Sequence, residues 1–193
     1  MDKKNEILNE AYRLFSQKGY SLSMSEIAKA VHIKTPSLYS HFNSKDEIIE
    51  TIIKTEIENC FEAVHKIVSD LKDKNCQETL SYIFFHMIDY CKKSSRPYFL
   101  RHLSLLQNKK LRQMCTALLQ ECSDCFAEHI RQCFEKGIRE KELKETVNEG
   151  QIYLYISMIQ GILDSEFFIQ DKKFRSKDYA VKVWEAYWDG IKA

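Results

Sequence analysis

The chain has 193 residues, enough for a sizeable core but between the usual lengths of one and two domains. Five Gly and two Pro leave few helix breakers, and no stretch alternates apolar and polar residues as a half-buried strand requires, so an all-α fold is expected. A formal net charge of +1 excludes the argument that a basic protein must bind nucleic acid, and makes the local distribution of charge the informative quantity.

The opening residues MDKKNEILNEAYRLF carry acidic side chains and amphipathic spacing where a signal peptide needs an apolar block. No run of about 18 apolar residues is present to span a bilayer. The expected setting is therefore cytoplasmic, without membrane contact. There the seven cysteines are expected as reduced thiols, since an odd count spread over helical segments is no disulfide framework.

Ile7, Leu8, Ala11, Leu14 and Phe15 fall at helical spacing and Gly19 supplies a stop, which predicts a first helix at about residues 3 to 18. Ser23 to Glu26 then reads as a capping box: the Ser23 hydroxyl accepts from the Glu26 amide while the Glu26 carboxylate reaches back. It opens a second helix at about 24 to 31, with Met24, Ile27, Ala28 and Val31 inward. After a tight turn at His32 and Ile33, a third helix is expected from Thr35 to Phe42, with Pro36 in its first turn, where a missing amide proton costs nothing. Leu38 and Phe42 face the core, and Thr35, Ser37, Tyr39, Ser40 and His41 point away or sideways.

Two short helices joined by a tight turn, the second with a polar face, form the helix-turn-helix geometry that enters a major groove. From Ile27 to Lys45 there is no Asp or Glu, while Lys29, His32, Lys34, His41 and Lys45 all fall in the run. Phosphates are expected to meet Lys45, the Tyr39 hydroxyl and helix N-termini, and base edges the outward residues early in the third helix.

The run IAKAVHIKTPSLYSHFNSKDEI resembles the signature of the TetR family of bacterial regulators, in its Ile-Ala pair and its Leu-Tyr-x-His-Phe-x-x-Lys string. With Ala11, Leu14, Phe15, Gly19 and Tyr20 the resemblance covers about residues 7 to 49. It implies that Ser23 caps the second helix and touches phosphate, that Tyr39, His41 and Lys45 contact the DNA backbone, and that Thr35, Pro36 and Ser37 occupy base-facing positions. Lys34, at the start of the third helix, is counted with them. The sequence departs from the common pattern at His32 (usually Gly), at Lys34 (often a capping Ser) and at Pro36 (frequently Gly), and the first interhelical loop is one residue short. These departures leave the operator sequence open.

Ser44 to Glu47 reads as a second capping box, opening a helix whose stripe of Ile48, Ile49, Ile52, Ile53, Ile57, Phe61, Val64, Ile67, Val68 and Leu71 runs through about seven turns. It leads from a helix-turn-helix domain at 1–46 into a helical dimerisation and ligand-binding domain at 47–193, so that a shift of its far end would move the reading head. Further helices are expected at about 78 to 93, 97 to 107, 110 to 140, 148 to 170 and 176 to 191, giving about nine in all, with polar breaks at Ser94-Ser95-Arg96-Pro97 and Asp171-Lys172-Lys173.

Aromatic residues concentrate in this body, and the resemblance implies a small-molecule cavity among its helices. Phe84, Tyr98, His102, Phe126, Tyr155 and Gln160 are the candidate lining, with His86 a further polar anchor. Ordinary core packing is the competing account. Tyr153, Ile156, Ile159, Gln160 and Leu163, with Tyr179, Val183, Trp184, Tyr187 and Trp188, read as a two-fold interface, although burial within one subunit would account for half of them.

Cys122, Cys125, His129 and Cys133 lie within about 80° of one another on one helix face, a pattern that suggests a soft metal or an oxidant sensor. Their span of about 16 Å is too long for one ion, which leaves Cys122, Cys125 and His129 as the only subset close enough to share one. Cysteine as a small buried hydrophobe is the better account, so no metal or cofactor is expected.

The expected protein is thus a homodimeric repressor of a pseudo-palindromic double-stranded operator, released by a small apolar or amphipathic effector. A ligand-independent activator or architectural DNA binder is the alternative. An enzyme is not expected, since the sequence has no Gly-rich phosphate loop, no Glu-x-x-His pair and no nucleophile elbow.

Overall fold

The structure, a computed structural model, describes residues 2–69, 71, 74–93, 96–169 and 171–193. Among these residues it contains no strand and nine α-helices: α1 (Lys3–Lys18), α2 (Met24–Ala30), α3 (Thr35–Tyr39), α4 (Lys45–Ser69), α5 (Cys76–Lys92), α6 (Arg96–Ser104), α7 (Lys109–Arg139), α8 (Glu149–Phe168) and α9 (Lys177–Ile191). The expected break at Ser94-Ser95 and the expected helix end at Gln170 lie outside the described residues, as do the side chains of Ile67 and Val68.

Where the caps are local, the boundaries follow the sequence. Asp2 caps α1 by accepting from the Lys4 amide, and Asn148 forms a capping box with Gln151 at the start of α8. The start of α5 and the end of α6 differ from expectation. α5 begins at Cys76, where Asn75 caps it by accepting from the Glu78 amide at 2.8 Å and the Glu142 carboxylate, far away in the chain, accepts from the Cys76 amide at 3.0 Å and the Gln77 amide at 3.4 Å. α6 stops at Ser104 because the chain tightens, with the Leu105 and Leu106 amides bonding three residues back, before Asn108 caps α7.

The described chain forms two compact units, one of residues up to Glu62 with Lys93–Cys122, the other of Ala63–Lys92 with Ser123–Ala193. In the first, α1 packs on α2 and α6, around a core that includes Ile7, Phe15, Ile27, Leu38, Ile48, Ile49 and Phe99, all fully buried. Each such side chain stabilises the fold by about 1.5–3 kcal/mol relative to exposure. Tyr12 stacks on Phe99 with ring centroids 4.4 Å apart, which fixes α1 against α6.

In the second unit α5, α8 and α9 pack together around Phe84, Phe134, Tyr155 and Trp184. The Tyr155 hydroxyl, at the centre, donates to the Leu80 carbonyl at 2.7 Å, so its burial leaves no polar group unmatched. Trp184 stacks on Trp188, and both are covered within the unit together with Tyr187. These three residues therefore need no second subunit for cover. The large apolar side chains left exposed on α8 are Tyr153, Leu154 and Phe168.

The cysteine stripe on α7 is broken up by partners on other helices. Cys122 lies 3.9 Å from Cys60 of α4, Cys133 lies 3.7 Å from Cys76 of α5, and Cys125 sits beside its own neighbour His129. Among the described residues no three His, Cys, Asp or Glu side chains gather as a metal site, and no helix is long and apolar enough to cross a membrane.

Candidate nucleic-acid interface

The local chemistry of residues 19 to 47 sets the geometry of the reading head. Gly19 ends α1 at φ +59°, ψ −143°, a backbone conformation essentially confined to glycine, and a Cβ there would lie 2.6 Å from Nδ1 of His102. The chain then turns to Ser23, whose hydroxyl accepts from the Glu26 amide while the Ser23 amide donates to the Glu26 carboxylate at 2.9 Å. The expected capping box is thus complete, and Lys18 closes over it by pairing with Glu26. These contacts lower the Glu26 carboxyl pKa to about 2, the hydrogen bond from Lys18 first and those from Ser23 next.

α2 ends in a Schellman turn. The Ile33 amide donates to the Ala28 carbonyl at 3.0 Å and the His32 amide to the Lys29 carbonyl at 3.2 Å, which requires a left-handed residue between them. That residue is His32, at φ +55°, where the family pattern places Gly. The departure noted in the sequence is therefore a strained position in an otherwise ordinary turn.

α3 is shorter than expected, Thr35–Tyr39 in place of Thr35 to Phe42. The Leu38 carbonyl accepts from both the His41 and the Phe42 amides, at 3.0 and 3.1 Å, and this shared acceptor tightens the last turn and ends the helix. Leu38 and Phe42 are nonetheless both buried, so the anchor beneath the helix is the expected one. Lys34, Pro36 and Ser37 are exposed, Tyr39 is 52% exposed, and Thr35 and His41 are half-buried.

Lys45 is held differently from a loose surface cation. Its ammonium lies 3.9 Å from the Tyr20 ring centroid and donates to the Tyr20 carbonyl at 2.9 Å. Asp46 accepts from the Tyr20 hydroxyl at 2.6 Å and from the Asn108 amide at 2.9 Å. Hydrogen bonding to Asp46 raises the Tyr20 pKa. Glu47 takes only half of its expected capping box: its amide donates to the Ser44 hydroxyl, but its carboxylate passes over Ser44 to accept from the Asn43 amide at 2.7 Å. The acidic groups flanking the cationic run, Glu26, Asp46 and Glu47, are thus all engaged within the fold. Asn108 is the member of this network missing from the sequence-based set; its one legible signal was a capping residue just before a helical run.

The six candidate ligand residues are not gathered into one described cleft. Tyr98 and His102 belong to the first unit, where Tyr98 is exposed and His102 packs edge-on against Phe15. Phe84, Phe126, Tyr155 and Gln160 belong to the second; Phe84 and Tyr155 are core, Phe126 packs against that core, and Gln160 is exposed and donates to Asp164. A cleft of 330 Å³ in that unit is lined instead by Lys74, Glu78, Ser81, Tyr82, Phe85 and His86, with His86 stacked on Tyr82.

Comparison with known proteins agrees with this geometry. Residues 7–52 match the sequence model of a family described as bacterial regulatory proteins, tetR family. The biofilm operon icaADBC HTH-type negative transcriptional regulator IcaR of Staphylococcus aureus is 40% identical over 73 residues, a match that spans 37% of each chain. Over the whole chain the fold is similar to a TetR transcription regulator from Haloarcula marismortui, with TM-score 0.77, 14% identity and coverage of 100% of this chain and 99% of that one. It is also similar to the ketosteroid transcriptional regulator KstR2 of Mycobacterium tuberculosis, with TM-score 0.72, 15% identity and coverage of 100% and 96%. Residues 7–52 thus match the DNA-binding segment of the tetR family, and the whole chain shares the fold of the two regulators just described.

Proposed function

We propose that the chain is a cytoplasmic transcriptional repressor that binds a pseudo-palindromic operator as a homodimer, residues 1–46 reading DNA and 47–193 serving dimerisation and effector binding. One observation carries this reading. α3 presents Lys34, Pro36, Ser37 and Tyr39 to solvent over the buried Leu38 and Phe42, inside a stretch without a single acidic residue. A short helix with that polar face, fixed from beneath, fits a major groove.

In this reading base edges meet Thr35, Pro36 and Ser37, and phosphates meet Ser23, Lys34, Tyr39, His41 and Lys45. Negative regulation is supported by the relative from Staphylococcus aureus, a negative transcriptional regulator by name. Dimerisation through α8 and α9 is supported by the exposed Tyr153, Leu154 and Phe168 on α8 and Val181 on α9, since large apolar side chains on adjacent helices favour a mate. An apolar or amphipathic effector bound within 47–193 would favour a state whose two copies of α3 no longer match successive grooves, a coupling of about 1–3 kcal/mol.

The test is anisotropy of labelled duplexes from the chain's own upstream region at several salt concentrations. A tight, salt-dependent complex with one duplex, and at least tenfold weaker binding to a scrambled one, is the expected result; equal affinity for both removes the reading. For the effector, a panel of apolar compounds is screened for those that both raise the melting temperature and release DNA.

A further inference from the structure

α4 and α7 meet at two places in the first unit. At one, the Asn108 amide donates to Asp46 at 2.9 Å; at the other, the Cys122 thiol donates to the Cys60 sulfur at 3.9 Å. As many residues separate Asp46 from Cys60 as Asn108 from Cys122, about 21 Å at 1.5 Å per residue, so the helices run parallel and in step between these contacts. Both thiols are half-buried and within reach of small solutes.

We propose that Cys60 and Cys122 form an oxidation site: a hydroperoxide oxidises Cys60, and Cys122 then closes a disulfide that joins α4 to α7. Proximity and electrostatics together assign the roles. The two sulfurs lie 3.9 Å apart, within hydrogen-bond reach for a thiol pair, so a thiolate on one is held by the proton of the other. Arg96 is ion-paired with Glu56 one turn before Cys60 on α4, so the carboxylate largely cancels the guanidinium charge and the thiol partner is left as the dominant influence on Cys60. The hydrogen bond with Cys122 lowers the Cys60 pKa and outweighs burial and the Glu56 carboxylate, which raise it, with Arg96 adding the smallest effect downward.

The other thiol pair provides the contrast. Cys76 and Cys133 are as close, at 3.7 Å, but Cys76 is fully buried, and its hydrogen bond with Cys133 together with burial pushes its pKa far up. Proximity alone therefore does not make a reactive pair in this fold; thiolate character and access separate the two.

The chemistry proceeds in two balanced steps. The Cys60 thiolate attacks the hydroperoxide, an S–O bond forms as the O–O bond breaks, sulfur loses two electrons, and the departing alkoxide or hydroxide takes up a proton. The Cys122 sulfur then attacks the sulfenic sulfur, the S–S bond forms as the S–O bond breaks, and hydroxide leaves with the Cys122 proton as water. A disulfide of about 2.05 Å requires the two sulfurs to close by roughly 1.9 Å. α4 and α7 must re-seat to allow it, while the far contact at Asp46 and Asn108 holds the first turn of α4 beside Tyr20. This regulatory consequence, a change in operator affinity, rests on the DNA-binding function proposed above.

The experiment treats the reduced full chain with one equivalent of hydrogen peroxide, then maps thiols by differential alkylation and peptide mass. The expected result is a Cys60–Cys122 cross-link with Cys76 and Cys133 still reduced. The Cys122→Ser variant is expected to stop at a sulfenic acid on Cys60 that dimedone traps, and Cys60→Ser to form neither product. Oxidation that begins at another cysteine, or a sulfenic acid that persists in the wild type with Cys122 present, overturns the site. Operator affinity is expected to differ about fivefold or more between the reduced and cross-linked forms and to recover with dithiothreitol. Unchanged affinity in a fully cross-linked sample overturns the regulation, whereas absence of DNA binding in both forms, with the cross-link mapped, counts against the repressor function alone.

Discussion

Lys45 and Tyr20 hold each other in two ways at once, the ammonium lying 3.9 Å from the ring centroid and donating to the carbonyl of the same residue at 2.9 Å. A cation so placed would meet a phosphate without first losing its rotational freedom. Lys45→Ala is expected to lower stability by about 0.5–1 kcal/mol and to reduce the slope of log affinity against log salt by about 1 for every duplex. Tyr20→Leu removes the ring and the bond to Asp46 but no charge. It should therefore cost stability while leaving the salt slope nearly unchanged, and urea unfolding alongside anisotropy titrations separates the two.

His32 occupies a left-handed position that costs a side-chain-bearing residue about 1–2 kcal/mol. His32→Gly should relieve that strain and raise the denaturant midpoint, with a net gain of about 1 kcal/mol after the added flexibility of the unfolded chain. A β-branched substitution, His32→Val, should lower it. If both variants unfold at the wild-type midpoint, the turn is not strained.

Leu38 is fully buried beneath α3, whereas its neighbour Ser37 is exposed. Leu38→Ala should therefore cost about 2–5 kcal/mol through lost burial and a residual cavity, and should weaken binding to all DNA sequences together. Ser37→Ala should stay within about 0.5 kcal/mol of wild-type stability and instead alter preference among sequences. Unfolding curves and competition with operator variants read the two effects independently.

The Glu26 carboxyl has a folded-state pKa of about 2, below its ordinary value, chiefly through the Lys18 hydrogen bond and then through Ser23. A depressed carboxyl stabilises the fold above its unfolded pKa and loses that contribution as pH falls toward the folded one. The melting-temperature advantage of wild type over Glu26→Gln should therefore be full near neutral pH and shrink below about pH 4.5, and salt should diminish it because the pair is exposed. A difference that stays constant from pH 7 to about pH 3 would rule out this origin.

The extent to which the sequence disclosed these features depended on distance along the chain. α1 and α2 were readable to within a residue because Gly19 and the Ser23–Glu26 box lie at their ends. The end of α3 was not, because it depends on one carbonyl shared by two amides, which periodicity does not report. The start of α5 has a local cap in Asn75, but the Glu142 carboxylate that takes up the Cys76 amide lies 66 residues away and left no mark on the periodicity. The cysteines on α7 share a helix face, yet their partners Cys60 and Cys76 come from other helices, 62 and 57 residues away in sequence. For the effector residues, helical spacing grouped aromatic side chains by composition but carried no information on which unit would receive α6, so Tyr98 and His102 were joined to residues of a different core.

The close approach of His102 to the Gly19 backbone has an evolutionary corollary. A β-carbon at position 19 would both occupy the space of the imidazole and sit on a backbone that side chains rarely adopt, so glycine is required twice over: among homologous sequences it should persist at 19 even where residue 102 is small.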